Sequence, residues 1–201
     1  MMSPPGTMAR VYDALKARVM AGDFAPGERI DPARLSPELA ASATPIRDAL
    51  HRLAGERLIE SWQQEGFRQP FVTEGSVRDL YGWSEDLLRV ILRAAERGAN
   101  EIGAVEVPAD DPPRAAAIMF GWLATLSRNH EHRQAMQSLI ERSHLLRLAE
   151  NRLVPPMPDD LTAIPLLVME RRWAEVRRWN GRFHALRVRR LAEIADQFQR
   201  R

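Results

Sequence analysis

Apolar residues recur at helical spacing from near the start of the chain. Val11, Leu15 and Val19 fall four apart with Ala14 beside them, which predicts a helix over 8–21 that Gly22 ends. Residues 23–30 are broken by Pro26-Gly27, a turn signal. Asp31-Pro32 then has the form of an N-cap followed by a first-turn proline. It opens a short helix with Leu35 and Leu39 inward. After small residues at 40–43, Thr44-Pro45 repeats that signal. Ile46, Ala49, Leu50 and Leu53 follow as one apolar stripe. Two β-like runs, 58–62 and 67–72, flank a hairpin tip of Gln63, Gln64, Glu65 and Gly66. Helix, helix, helix, hairpin within residues 1–75 is the order of a winged helix-turn-helix.

From Ser76 onward the periodicity is helical throughout. Helices are expected at 76–97, 113–128, 130–151, 159–170 and 172–198, with proline-rich breaks at 108–113 and 155–158. The last carries Trp173, Val176, Phe183, Leu191, Ile194 and Phe198 on a broad inner face. The expected fold class is mainly α. It comprises a winged helix-turn-helix of three helices plus a β-hairpin over 1–75, followed by an all-α antiparallel helical bundle over 76–201.

Composition narrows the class. Hydrophobic residues make up 45% and charged residues 28%, a globular balance. There is no cysteine, which excludes disulfides and cysteine-based zinc or redox chemistry. The longest apolar run, LTAIPLLVM at 161–169, is too short to span a bilayer and contains Pro165. The first residues lack the basic and apolar regions of a signal peptide. A cytoplasmic protein with no membrane partner and no cofactor is expected. Paired carboxylates, nucleophile–base spacings and phosphate loops, the marks of an enzyme, are not found in the sequence.

Charge is unevenly spread. Residues 1–75 are net −1, residues 76–170 net −4, and residues 171–201 net +7. All the cations but Lys16 are arginines. On charge alone the C-terminal segment would be the nucleic-acid contact. Its helix lacks a capped, small-residue entrance suited to a groove. A solvated face paired with acids of neighbouring helices is the preferred reading.

The segments VYDALKARVMAGDFAPGERI and LSPELAASATPIRDALHRLAGERLIE, followed by the Glu-Gly-Phe of the hairpin tip, resemble the GntR family of bacterial regulators. More weakly, VRDLYGW, LSRNHEHRQAM, DLTAIPLLVMERRWAEV and Phe183-His184 resemble the helical effector domain of its FadR-like (FCD) subfamily. The resemblance implies DNA contacts at Arg34, Ser42, Thr44, Arg47 and Gly66. Thr44, Arg47 and His51 share one side of their helix, opposite Ile46, Leu50 and Leu53, and Arg68 lies in the wing. Where the family usually has arginine after the serine, this chain has Ala43.

Many FCD-type regulators hold a metal with one Asp and three His, and the metal grips a small carboxylate. Here the corresponding positions are Ala116, Phe120 and Leu161, and only His184 offers a ligand; Ser84 stands where the family often has arginine. One imidazole does not make a metal site, so none is expected. An apolar effector pocket lined by Trp83, Phe120, Trp122, His184 and Arg187 is expected instead. His184 or Arg187 would pair with an acidic group of the ligand.

The expectation is therefore a homodimeric, effector-responsive regulator, a repressor by preference, binding a palindromic double-stranded DNA operator. The alternative is a winged-helix protein-interaction module that has lost operator recognition, which Ala43 and the net −1 charge favour.

Overall fold

The computed structural model describes residues 6–62, 66–98, 100–153 and 161–199. They form two compact units that divide between Val72 and Thr73. The first contains α1 (Thr7–Ala21), β1 (Arg29–Ile30), α2 (Pro32–Leu39), α3 (Ala43–Gly55), β2 (Glu60–Trp62) and β3 (Gly66–Arg68).

Helix α1 stops at Gly22, whose φ of 76° is the left-handed conformation glycine takes freely. Asp31 caps α2 through its side chain, which accepts from the Ala33 N–H. The cap expected at Thr44 is corrected. The extended backbone of an N-cap falls at Ser42, so α3 begins at Ala43 and Thr44 lies inside its first turn. Pro45 is tolerated there because first-turn N–H groups have no intrahelical partner.

The wing is a three-stranded antiparallel sheet of order β1-β3-β2. Its hairpin strands are shorter than the expected 58–62 and 67–72, and residues 63–65 of the tip lie outside the described residues. The added strand is β1, pairing Arg29 with Arg68 and Ile30 with Phe67. The Pro26-Gly27 turn delivers it. Gly27 has φ 78°, and a Cβ there would lie 2.2 Å from the Phe71 ring. Alternation puts Ile30 and Phe67 into the core and leaves the arginines outside.

Helix α3 packs on α1. Val11, Leu15, Ile46, Ala49, Leu50 and Leu53 are completely buried. A polar clasp closes the far end of this contact. Tyr12 donates to both Glu56 oxygens at 2.7 and 2.8 Å, Lys16 reaches Glu56 at 3.1 Å, and Arg52 lies over the Tyr12 ring. Helix α3 ends in a left-handed turn at Arg57 (φ 60°), with the Leu58 N–H returning to the Leu53 carbonyl and the Arg57 N–H to Ala54.

The second unit is helical: α4 (Glu74–Gly98), α5 (Pro112–Thr125), α6 (His130–Arg142), α7 (His144–Glu150), α8 (Ile164–Met169), α9 (Trp173–Arg189) and α10 (Leu191–Gln199). Helix α4 starts two residues before the expected 76. Thr73 and Ser76 cap each other, the Thr73 Oγ1 accepting from the Ser76 N–H and the Ser76 Oγ from the Thr73 N–H.

Two expected helices are divided. The 130–151 segment breaks at Ser143, whose hydroxyl donates to the Leu139 carbonyl at 2.6 Å and accepts from Arg147 at 2.6 Å. The 172–198 segment breaks at Arg190, whose N–H returns to Arg187 rather than one residue earlier. Part of the expected 159–170 helix lies outside the described residues, and α8 covers its end. The core centres on Leu88, Ile91, Leu92, Met119, Leu123, Met136 and Val176.

Two tests follow from the first unit. Arg57→Gly removes left-handed strain from a side chain that makes no hydrogen bond or ion pair among the described residues. It is expected to stabilise the protein by about 1 kcal/mol, read as a higher urea midpoint at unchanged slope; no gain would show that the turn stores no strain. Burial raises the Glu56 carboxyl pKa, but hydrogen bonds from Tyr12, Lys16 and Arg52 and the Lys16 charge outweigh it and hold the group below its ordinary value. A depressed carboxylate stabilises the fold at neutral pH, and that stability is lost as pH falls below about 4. The stability gap between wild type and Glu56→Gln is thus expected to close on acidification. A gap equal at pH 7 and pH 3 would contradict it.

Candidate nucleic-acid interface

The α2–α3 turn is short and sharp. Ala40 takes the left-handed conformation (φ 46°) and its N–H returns to the Ser36 carbonyl. With Ile46, Leu50 and Leu53 holding the inner side of α3, Thr44, Arg47 and His51 stand exposed on the outer side. Ser42 is exposed at the N-cap, and its hydroxyl makes no capping bond. Arg34 projects, exposed, from α2. The His51 ring and the Phe67 ring of the wing meet in a T-shaped contact, 4.8 Å between centroids.

The arginines of this unit fall into two groups. Arg10 donates to the Leu39 carbonyl at 2.9 Å, Arg18 pairs with Glu38 and Asp23, and Arg52 pairs with Glu56. Arg29, Arg34, Arg47 and Arg57 are exposed and have no ion pair among the described residues. These uncommitted guanidinium groups are the ones available to a polyanion.

The expected role of Arg68 does not fit this geometry. Its guanidinium is 2.9 Å from Glu60 and 3.9 Å above the Trp62 ring, so its charge is satisfied inside the wing. Arg29, which sequence reasoning did not single out, is exposed and has no ion pair among the described residues. It neighbours Arg68 in the sheet, and its Nε lies 4.0 Å from where a Gly66 Cβ would sit. Gly66 itself is exposed, with φ 86°. The alternating Glu28-Arg29-Ile30 after Pro-Gly was the available signal for a strand.

In the second unit, three of the five expected ligand residues, Phe120, His184 and Arg187, line one buried cavity with Tyr81, Ser84 and Glu150. Trp83 and Trp122 lie outside that lining. Trp83 is 47% exposed on α4, and Trp122 donates its indole N–H to the Gly103 carbonyl at 2.9 Å. The cavity's free volume is about 10 Å³, the room of about one water molecule.

Its walls are strongly polar. Glu150 and Arg187 form a buried ion pair at 2.8 Å, and Tyr81 donates to the other Glu150 oxygen at 2.5 Å. Burial and the Glu150 charge raise the Tyr81 hydroxyl pKa, which keeps it a donor. Arg147 spans the wall by donating to Pro113 and Ile140 carbonyls and to Ser143. Burial pushes its pKa down to about 10, so it remains charged at neutral pH. The His184 Nδ1 lies 2.9 Å from the Asn180 carbonyl oxygen, which only accepts, so Nδ1 carries the proton. In the neutral ring Nε2 then accepts from the Ser84 hydroxyl at 2.8 Å.

This donor set does not fit the metal that the FCD resemblance implies. It offers one imidazole and one carboxylate already held by a guanidinium, and among the described residues no three His, Cys, Asp or Glu come together. Of the C-terminal arginines, Arg177 pairs with Glu96, Arg172 with Glu170 and Glu175, and Arg190 with Glu193, whereas Arg171, Arg178, Arg182 and Arg189 are exposed with no ion pair among the described residues.

Residues 7–68 match the family described as bacterial regulatory proteins, gntR family. The chain is 28% identical over 137 residues to the Nta operon transcriptional regulator of Aminobacter aminovorans, covering 62% of this chain and 65% of that protein. It is 29% identical over 91 residues to the HTH-type transcriptional repressor GlaR of Escherichia coli K12, covering 45% and 41% respectively. The alignments thus span less than two thirds of these relatives' lengths. Two solved structures share the fold along nearly the whole chain. Escherichia coli McbR/YncC has a TM-score of 0.64 at 14% identity, covering 96% of this chain and 99% of that one. A structure described as a putative transcriptional regulator GntR from Rhodococcus sp. RHA1 has a TM-score of 0.63 at 18% identity, covering 97% and 98%. The winged first unit, residues 7–68, is thus similar to the gntR family of bacterial regulatory proteins, and the likeness along the rest of the chain is one of fold.

Proposed function

We propose that the chain is a DNA-binding transcriptional regulator, not an enzyme, acting in the cytoplasm as a homodimer on a palindromic operator. One observation carries the reading: α3 is fixed by a fully buried stripe while Thr44, Arg47 and His51 stand exposed beside uncommitted arginines, in a winged gntR-family domain. In this reading Arg47 contacts a base edge, where a bidentate arginine–guanine contact contributes roughly 1–3 kcal/mol of discrimination. Ser42, Thr44 and Arg34 hold phosphates, and Gly66 with Arg29 tracks the backbone at the wing. Ala43 removes one contact, so specificity is redistributed rather than lost. Repression is the preferred outcome of binding.

The rival reading, a winged module that binds protein instead, is favoured by Ala43 and by the neutralised Arg68. Salt separates the two, because phosphate contacts release counterions and protein docking does not.

An acidic, mostly apolar small molecule is proposed as the effector of the helical unit, a divergent FCD-type domain. Phe120, His184 and Arg187 would receive it. Because Glu150 already holds Arg187 and the free space admits about one water, such a ligand enters by displacing the Glu150 carboxylate.

With genomic DNA fragments selected by the wild-type protein as probe, Arg47→Ala is expected to weaken binding about a hundredfold, with circular dichroism and oligomeric state unchanged. Affinity equal to wild type would remove Arg47 from the interface, and a flat salt dependence would favour protein docking. For the buried pair, Glu150→Leu alone strands a buried guanidinium and is expected to cost about 3–5 kcal/mol by urea unfolding. Adding Arg187→Met is expected to recover most of that; a double variant as unstable as the single would show that the pair is not the coupled unit.

A further inference from the structure

Helix α9 buries Trp173, Val176, Trp179 and Phe183 in the core of the second unit. Its outer side carries Arg178, Arg182 and Arg189, all exposed. At about 100° per residue these three fall within about 40° of one another around the helix. At about 1.5 Å per residue they span about 16 Å along it. Arg171, in the turn that leads into α9, adds a fourth exposed guanidinium. None of the four has an ion pair among the described residues. The acid of this helix, Glu175, is already held by Arg172 through both carboxylate oxygens, at 2.6 and 2.7 Å. Only the small side chains of Ala174 and Ala185 stand exposed beside the row, so its approach is open.

Like charges four apart on a helix repel, so Arg178 and Arg182 weaken the helix that carries them. An outside anion relieves that repulsion. Arginine binds phosphate through paired N–H donors. A DNA duplex presents one charge per about 1.7 Å of its axis, so a straight row of guanidinium groups meets phosphates in any register. A bilayer or a protein pocket calls for an apolar anchor instead. No aromatic residue is exposed on α9, and Val188, 40% exposed, points about 100° away from Arg189.

We propose that the outer face of α9 is a second, sequence-independent DNA contact. Arg178, Arg182 and Arg189, with Arg171 at one end of the row, bind phosphates of duplex DNA. Phosphate contacts add affinity and carry no base information. The row therefore strengthens binding to every duplex by the same factor, and the choice of bases stays with the winged unit. This assignment deepens the reading of the chain as a DNA-binding regulator and rests on it.

The test combines Arg178→Gln, Arg182→Gln and Arg189→Gln in the full-length chain. Binding is measured to two duplexes several turns long, a genomic fragment selected by the wild-type protein and the same fragment with its sequence scrambled. The triple variant is expected to bind both at least about tenfold more weakly, with circular dichroism and oligomeric state unchanged. The slope of log affinity against log salt is expected to shrink by about 2–3, since each lost phosphate contact removes about 0.9. The ratio of the two affinities stays at its wild-type value, whereas Arg47→Ala lowers it. Lysine at the same three positions keeps the charge and is expected to keep the wild-type slope, which separates lost phosphate contacts from surface damage. A glutamine variant with wild-type affinity and slope on both duplexes overturns the row and leaves the DNA-binding regulator standing. So does a loss confined to the selected fragment, or a lysine variant whose slope falls as far as the glutamine one. Unchanged DNA binding with lost binding to phosphatidylserine–phosphatidylcholine vesicles overturns the row in favour of an anionic lipid surface. A wild-type chain that retains no genomic fragment and no scrambled duplex overturns the DNA-binding reading itself, and the row with it.

Discussion

The apolar contact between α1 and α3 is the constraint on which the functional surface depends. A helix offered to DNA must expose polar groups along one edge without rolling or sliding. That rigidity comes from the opposite edge. Ile46, Ala49, Leu50 and Leu53 are wholly removed from solvent against Val11 and Leu15, and the Tyr12–Glu56–Arg52 clasp pins the far end. Truncating a fully buried leucine in such a contact costs about 2–5 kcal/mol, a large fraction of a small domain's stability. The orientation of Arg47 is thus a consequence of hydrophobic packing on the side of the helix it does not share.

Net charge does not by itself say which cations of this protein are open to an anion. The C-terminal segment, at +7, has the largest excess of cations; Arg172, Arg177, Arg187 and Arg190 are each matched to a carboxylate, while Arg171, Arg178, Arg182 and Arg189 are exposed with no ion pair among the described residues. The first unit sums to −1 but exposes arginines at 29, 34, 47 and 57 outside any ion pair among the described residues. What a phosphate encounters is the uncommitted guanidinium, not the sum. In the wing, the same accounting separates Arg68, paired with Glu60, from Arg29, which has no ion pair among the described residues.

Much of this was legible in the sequence because the signals were local. Cap residues, proline in a first turn, and apolar spacing located α1, α2 and α3 within a residue or two, and the family match over residues 7–68 follows the same stretch. What escaped was decided by partners distant in sequence. Strand β1 is two residues long and exists because β3 offers it a ladder. The Ser143 break is set by a hydroxyl that bonds the Leu139 carbonyl and an arginine at once, which periodicity does not register. Trp83 and Trp122 were expected around one cavity with Phe120, but a tryptophan at helical spacing is as readily a surface as a core residue. Glu150 was not singled out at all, because its importance appears only when Arg187 and Tyr81 arrive from two other helices.

Lys16 is the one lysine in the chain, and its ammonium lies against Glu56 and the Tyr12 hydroxyl where α1 is fastened to the end of α3. Acylating chemistry, whether enzymatic acetylation or a laboratory amine reagent, therefore finds a single side-chain target here. Neutralising it would fall on the fastening of α3 and leave every guanidinium charge in place.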